Sequence, residues 1–314
     1  MTARSCSYLV AMLALIPTLT WGQQAPSPAD LPAAYRGTDI DHALKAHNWP
    51  KAETLLVAAI EREPKSPELL TVLGGVFLVE RKPLNAAIAI KKAEAIAPIN
   101  DGTRFTLALA YIAMHRGDWA EPELETLAAA DPSNLTVEYW RGRLDYDNAK
   151  YQSAVARFRR IIDADPTAVR AFDNLGLCYE ALNQPDAAIE PYRKAVELNR
   201  AATAKSAWPA LNLGTLLRTR GELTEAEALL REAARDEETL PQTHYQLGLV
   251  LEQEKHLDQA VSELRRAAQL HAEYAEPYYA LARIYRQQGR AADADQALAT
   301  FERLHDAARA ETPK

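Results

Sequence analysis

Between Val169 and Ala202 apolar residues recur at helical spacing, stop, and then recur again. Phe172, Leu175, Cys178 and Tyr179 fall on one face of a first helix. Asn183, Gln184 and Pro185 interrupt the pattern, and Ala188, Ile189, Tyr192, Ala195 and Val196 fall on one face of a second. The spacing predicts two short amphipathic helices joined by a tight turn. Neither helix can bury its stripe alone, and the pair needs a neighbouring pair.

The same pattern recurs along the chain. Steps of 34 residues from Val169 put pair starts at Ala33, Pro67, Asp101 and Leu135. After four additional residues, Thr203 to Ser206, the count resumes at Ala207, Pro241 and Ala275. The twentieth position is alanine throughout: Ala52, Ala86, Ala120, Ala154, Ala188, Ala226, Ala260 and Ala294. The eighth is small at Gly74, Ala108, Gly142, Gly176, Gly214, Gly248 and Ala282. The twenty-fourth is always large and apolar: Leu56, Ile90, Leu124, Phe158, Tyr192, Leu230, Leu264 and Leu298. Small residues let two helices approach, and large ones fill the space beside them. Prolines at Pro64, Pro98, Pro132 and Pro166 close the first four units; Arg200 replaces the closing proline of the fifth.

With Phe172, Leu175-Gly176, Tyr179, Ala188 and Tyr192 at these offsets, residues 33–308 resemble the tetratricopeptide repeat. The resemblance implies an all-α fold, a right-handed α-α superhelix of eight helix pairs. It also implies a non-catalytic scaffold that binds a peptide or partner protein along its concave face. In that family the first helix of each pair lines this face through its second, fifth, sixth, ninth, twelfth and thirteenth positions. Here those positions carry Lys45, Arg143, Arg170, Arg218, Arg283 and Arg286 against Asp41, Glu68, Asp147, Asp173, Glu180, Glu252 and Glu276. The groove is therefore expected to be nearly neutral, without a basic cluster. Aromatic and amide side chains concentrate in its middle: Tyr139, Trp140, Tyr146, Asn174, Trp208, Asn212 and Tyr245. Aromatics offer large contact area at low entropic cost, and amides pair with a peptide backbone. With Arg143, Arg170 and Asp173 to orient it, an extended or amphipathic peptide is expected across repeats four to seven. The alternative for the same residues is structural: Trp140 and Trp208 pack between repeats, and Asn174 and Asn212 hold neighbouring helices.

Composition narrows the field. The chain has 314 residues, 48% of them hydrophobic, spread evenly with no Gly/Ser-rich linker, which suits one stack of repeats. Residues 1–22 have the form of a secretory leader: Arg4, an apolar run from Tyr8 to Leu19, and a small residue at Gly22. A periplasmic or secreted protein starting near Gln23 is expected, with an uncleaved membrane anchor as the alternative. Losing the leader removes Arg4 alone and makes the formal net charge of −7 one unit more negative. That charge opposes nucleic-acid binding. Cys178 would be the single mature cysteine, expected as a small buried hydrophobe. Residues 23–32, QQAPSPADLP, read as a Pro-rich tether, and residues 309–314 as a polar tail. Thr38 with Asp41, and Asp118 with Glu121, resemble capping boxes.

Catalytic patterns are absent. There is no His-Glu-x-x-His, no phosphate loop and no Gly-x-Ser-x-Gly elbow, so neither an enzyme nor a bound cofactor or metal is expected. Asp145-x-Asp147 begins like a calcium loop, but Ala149, Lys150 and Ala156 stand where an oxygen ligand, glycine and glutamate are required. Arg141 and Asp145 occupy positions where other repeats bury Leu and Tyr. Either they pair, or the helix rotates and Val137, Trp140 and Leu144 take over its core face. The main rival to a peptide-binding scaffold is a structural subunit or assembly factor of an envelope or secretion complex. Broad apolar patches on the convex face or at an end would favour it.

Overall fold

The computed structural model describes residues 26–311; the leader reading and the last residues of the tail lie outside them. Sixteen α-helices and two 3₁₀ turns are found among the described residues, and no strand. In pairs, they are α1 (Asp39–Lys45) and α2 (Trp49–Arg62); α3 (Pro67–Val79) and α4 (Pro83–Glu94); α5 (Asp101–Ala113) and α6 (Gly117–Ala130); α7 (Leu135–Asp147) and α8 (Tyr151–Ala164). Then follow α9 (Val169–Ala181) and α10 (Pro185–Ala201); α11 (Trp208–Arg220) and α12 (Leu223–Asp236); α13 (Pro241–Gln253) and α14 (Leu257–Leu270); α15 (Glu276–Gln287) and α16 (Ala291–Glu311). The chain forms two compact units, one through Asn148 with α1–α7 and one from Ala149 with α8–α16. In each, consecutive helices pack on one another, and alternate first helices also touch: α3 on α5, and α9 on α11 on α13 on α15.

The eighth and twenty-fourth positions meet as their sizes require. A Cβ added to Gly74 would lie 2.6 Å from Ile90, one on Gly214 2.9 Å from Leu230, and one on Gly248 2.7 Å from Leu264. Gly176 faces the ring of Tyr192, which is fully buried and donates its hydroxyl hydrogen to Glu180 Oε1 at 2.6 Å. The twentieth-position alanines are all fully buried beside these contacts.

Every turn inside a pair uses the same backbone device. The fifteenth position has positive φ in all eight repeats: His47, Arg81, His115, Ala149, Asn183, Gly221, Lys255 and Gly289. At Arg81 the N–H donates to the Leu78 carbonyl, and the next N–H, of Lys82, reaches back to the Phe77 carbonyl. This is a Schellman ending, which requires a left-handed residue and favours glycine, yet six of the eight carry a side chain.

The inserted residues act at the end of α10. The helix continues to Ala201, past the repeat position at which α12 and α14 stop although they too lack a closing proline. Buried Asn199 then clamps the loop: its Nδ2 donates to the Ser206 carbonyl and its Oδ1 accepts from the Ser206 N–H, both at 2.9 Å.

Three local expectations are corrected. Thr38 caps no backbone amide; its hydroxyl donates to the Tyr35 carbonyl, while Asp41 accepts from the Gly37 N–H and from Lys45. Asp118 lies inside the first turn of α6 and binds Arg116 rather than closing a capping box. Residues 26–32 are a docked segment with its own capping box, Ser27 with Asp30, and Leu31 is 1% exposed. In α7, Val137, Trp140 and Leu144 are buried, Asp145 is buried with them, and Arg141 lies 3.6 Å from Glu138.

Candidate functional site

The residues singled out from sequence fall into both units. Tyr139, Trp140, Arg143 and Tyr146 are on α7 in the first. Trp140 is 7% exposed and belongs to the core, with Tyr139 packed edge-on against it at 5.7 Å. Arg143 reaches Asp147 at 3.3 Å, and its guanidinium stands 5.1 Å from the centre of the Tyr146 ring.

The second unit contains the other six. Asp173 on α9 accepts from Asn212 on α11 at 2.9 Å. Asn174 donates to the carbonyl of Arg170 one turn earlier, and Trp208 packs on the core edge. Asn212 therefore holds a neighbouring first helix. The same cross-linking continues along this face. Arg218 on α11 donates Nε–H to Gln246 on α13 at 3.1 Å, and Arg283 on α15 grips Glu252 on α13 with both nitrogens of its fork, Nε at 2.6 Å. Asp173, Asn212, Arg218, Gln246, Glu252 and Arg283 thus link one first helix to the next from positions assigned to the groove.

These links frame a cavity of about 480 Å³. Tyr245, Leu249, Tyr279 and Ala280 supply its apolar wall; Arg218, Lys255, Arg283, Glu252 and Gln253 supply its polar one. Glu252 is buried and bound by Arg283, and Arg218 and Lys255 are the other charged side chains of the lining. The Arg283–Glu252 pair cancels in the groove count. Lys255, at the fifteenth position, lies outside that count, so this stretch carries one more cation than the count includes. Tyr245 stacks edge-on with Tyr274 at 5.3 Å, and burial pushes its hydroxyl pKa up, with Glu276 adding to the shift. Tyr279, absent from the sequence selection, is 52% exposed and is the readiest aromatic contact. Its position in the repeat matches that of Tyr139 and Tyr245, which was the signal available to find it.

Behind the cavity, His244 anchors α13. It is 7% exposed; Nδ1 lies 2.7 Å from Glu263 Oε2 on α14, and Nε2 lies 2.9 Å from the Glu238 carbonyl. Two acceptors favour the imidazolium, and the bond to Glu263 raises its pKa above the usual histidine value. Protonated His244 thus stabilises the folded unit. That contribution is fully present below the unfolded value near 6.5 and is lost as pH rises through the folded value. The unfolding midpoint of the chain is expected to fall between pH 6 and pH 8, and His244→Gln is expected to flatten that slope; thermal scans across the range read both.

Among the described residues no group of three or more His, Cys, Asp or Glu side chains could hold a metal ion, and no helix is long and apolar enough to cross a membrane. Cys178 is fully buried.

Stacked helix pairs with a cross-linked first-helix face define a repeat scaffold. Sequence profiles of the tetratricopeptide repeat match residues 40–100, 139–207, 241–273 and 275–303. The chain belongs to the tetratricopeptide repeat family, whose members are protein-interaction scaffolds. It is 27% identical over 133 residues to the type IV pilus assembly protein PilF of Pseudomonas aeruginosa, covering 41% of this chain and 52% of that protein. The chain thus spans about half the length of this curated relative. Its fold is similar to a tetratricopeptide repeat protein from Parabacteroides merdae, with a TM-score of 0.63 at 17% identity over 84% of this chain and 98% of the other. It is also similar to PilW, a widely conserved type IV pilus biogenesis factor, with a TM-score of 0.57 at 19% identity over 64% and 92%.

Proposed function

We propose that the chain is an exported, non-catalytic scaffold whose second unit binds a peptide bearing an aromatic or apolar anchor beside acidic residues. The observation that carries this reading is the cavity between α11, α13 and α15, where Tyr245 and Tyr279 stand beside Arg218 and Lys255. The tyrosines supply contact area, and the two cations favour carboxylates. The Arg218–Gln246 and Glu252–Arg283 links hold the wall in place before binding, which lowers the entropic cost of association. In the first unit Tyr139 and Tyr146 are proposed as further contacts, with Arg143 buried and turned to Asp147.

Peptides selected on the mature protein from a random display library are expected to be rich in aromatic, apolar and acidic residues. Tyr245→Ala with Arg218→Ala is expected to weaken them by at least about 2 kcal/mol, roughly 30-fold, with helicity unchanged. Undiminished binding by the folded double variant overturns the assignment.

A second reading, an assembly factor of an envelope or secretion complex, draws on a different surface. Between the second helices α2 and α4 lies a cavity of about 530 Å³ floored by Leu70, Leu73 and Phe77, with Val57 and Ile88 exposed on its walls. Similarity to a type IV pilus assembly protein supports the same reading. Both readings place the protein outside the cytoplasm, and N-terminal sequencing of the recovered protein tests that.

A further inference from the structure

Helix α3 is buried nearly all round, which in a repeat array requires a cover on every side. Gly74 faces Ile90 on α4, and Leu70, Leu73 and Phe77 floor the cavity between α2 and α4. The remaining stripe, Val72, Gly75 and Leu78, occupies groove positions of the second repeat. The chain's own N-terminal segment lies on it. A Cβ added to Gly75 would stand 3.0 Å from Cβ of Pro26 and 3.3 Å from the rest of its ring. Pro28 and Leu31 also turn inward, while Ser27, Ala29 and Asp30 are exposed. The turn Pro28–Asp30 packs on α1, and Leu31 enters the core beside Ile40 and Leu44. Arg36 fastens the segment through the carbonyls of Leu31 and Ala29 at 3.3 and 3.2 Å.

Gly75 is singular in the array. The ninth position of the other repeats carries Asp41, Leu109, Arg143, Leu177, Thr215, Leu249 and Arg283. Glycine inside a helix costs about 1 kcal/mol relative to alanine, and no turn or positive φ calls for it here. What occupies the missing side chain's place is Pro26.

We infer that the first-helix face of repeats one and two is a binding site for peptides of the form Pro-x-Pro-x-x-Leu that fold through one 3₁₀ turn, and that Pro26–Leu31 is its built-in occupant, displaced when a partner bearing that pattern binds. The second proline stands first in the turn, where its fixed φ lowers the entropic cost of ordering, and the leucine is the anchor. The site is independent of the cavity in the second unit.

The probe is a labelled peptide of residues 23–32, QQAPSPADLP, titrated into the mature chain by fluorescence anisotropy. Leu31→Asp expels the built-in segment, and this variant is expected to bind the peptide at least about tenfold more tightly than the unsubstituted chain. Gly75→Leu added to it is expected to remove that gain. A folded Leu31→Asp chain with no gain overturns the inference. Because losing a buried leucine can unfold the first repeat, Gly75→Leu alone supplies a second reading: it keeps a good helix former in α3 but crowds Pro26. Tryptic cleavage after Arg36 is expected to accelerate about tenfold with helicity unchanged; unchanged protection overturns the inference. Dimers formed by exchange of the segment, seen by light scattering, overturn the assignment of a partner peptide.

Discussion

Gly176→Ala is expected to lower the stability of the second unit by about 2–3 kcal/mol, well above the median effect of a single methyl group. The eighth position lies directly against the Tyr192 ring, which is fully buried and tethered through its hydroxyl to Glu180, so the ring has no free path of retreat. The protein's own repeats indicate the remedy. Where the eighth position is alanine, Ala108 and Ala282, the twenty-fourth is leucine, Leu124 and Leu298. Tyr192→Leu should therefore be costly alone, through lost volume and a lost hydrogen bond, but much less so beside Gly176→Ala. Denaturant titration of the four proteins is expected to show a favourable coupling of at least about 1 kcal/mol. Additivity within about 0.5 kcal/mol would show that the two positions do not share one space.

A second large effect is expected with the opposite sign. A side chain in the left-handed region costs about 1–2 kcal/mol, part of which glycine returns to the unfolded chain as entropy. Changing Arg81, His115, Ala149 and Lys255 to glycine should each stabilise by about 0.5–1 kcal/mol, and the four together by about 2–4 kcal/mol, because they lie in separate exposed turns. Asn183→Gly should gain least, since asparagine tolerates this conformation. A chain with all four changes that melts no higher than the parent would mean that the turns carry no recoverable strain.

These two cases mark where sequence reading succeeds and where it stops. The small-against-large contact was legible, because it is written in residue size at fixed offsets from Gly74 with Ile90 to Gly248 with Leu264. The left-handed turn was not, because only Gly221 and Gly289 show the residue that such a turn prefers. Groove positions were legible as positions. What their side chains do was not: Asn212 and Arg218 are engaged with neighbouring helices, Arg283 is paired with Glu252, and Lys255 joins the cavity from a turn position outside the groove set. The docked N-terminal segment was hidden for a related reason. Its prolines suggest an open chain, and the contact that holds them depends on a side chain that Gly75 lacks.

The loop clamped by Asn199 bears on how a repeat is closed. Between Ala202 and Ala207 the loop is held from both sides: Asn199 of the preceding helix binds the backbone of Ser206 and reaches Asp236 of α12 at 3.4 Å, and the Trp208 N–H of α11 donates to the Ser206 hydroxyl at 3.4 Å. A closing proline ends each of the first four units, and the fifth, sixth and seventh have none. The fifth repeat thus carries its own terminator: one amide side chain closes over four extra residues a junction that proline closes in the first four units.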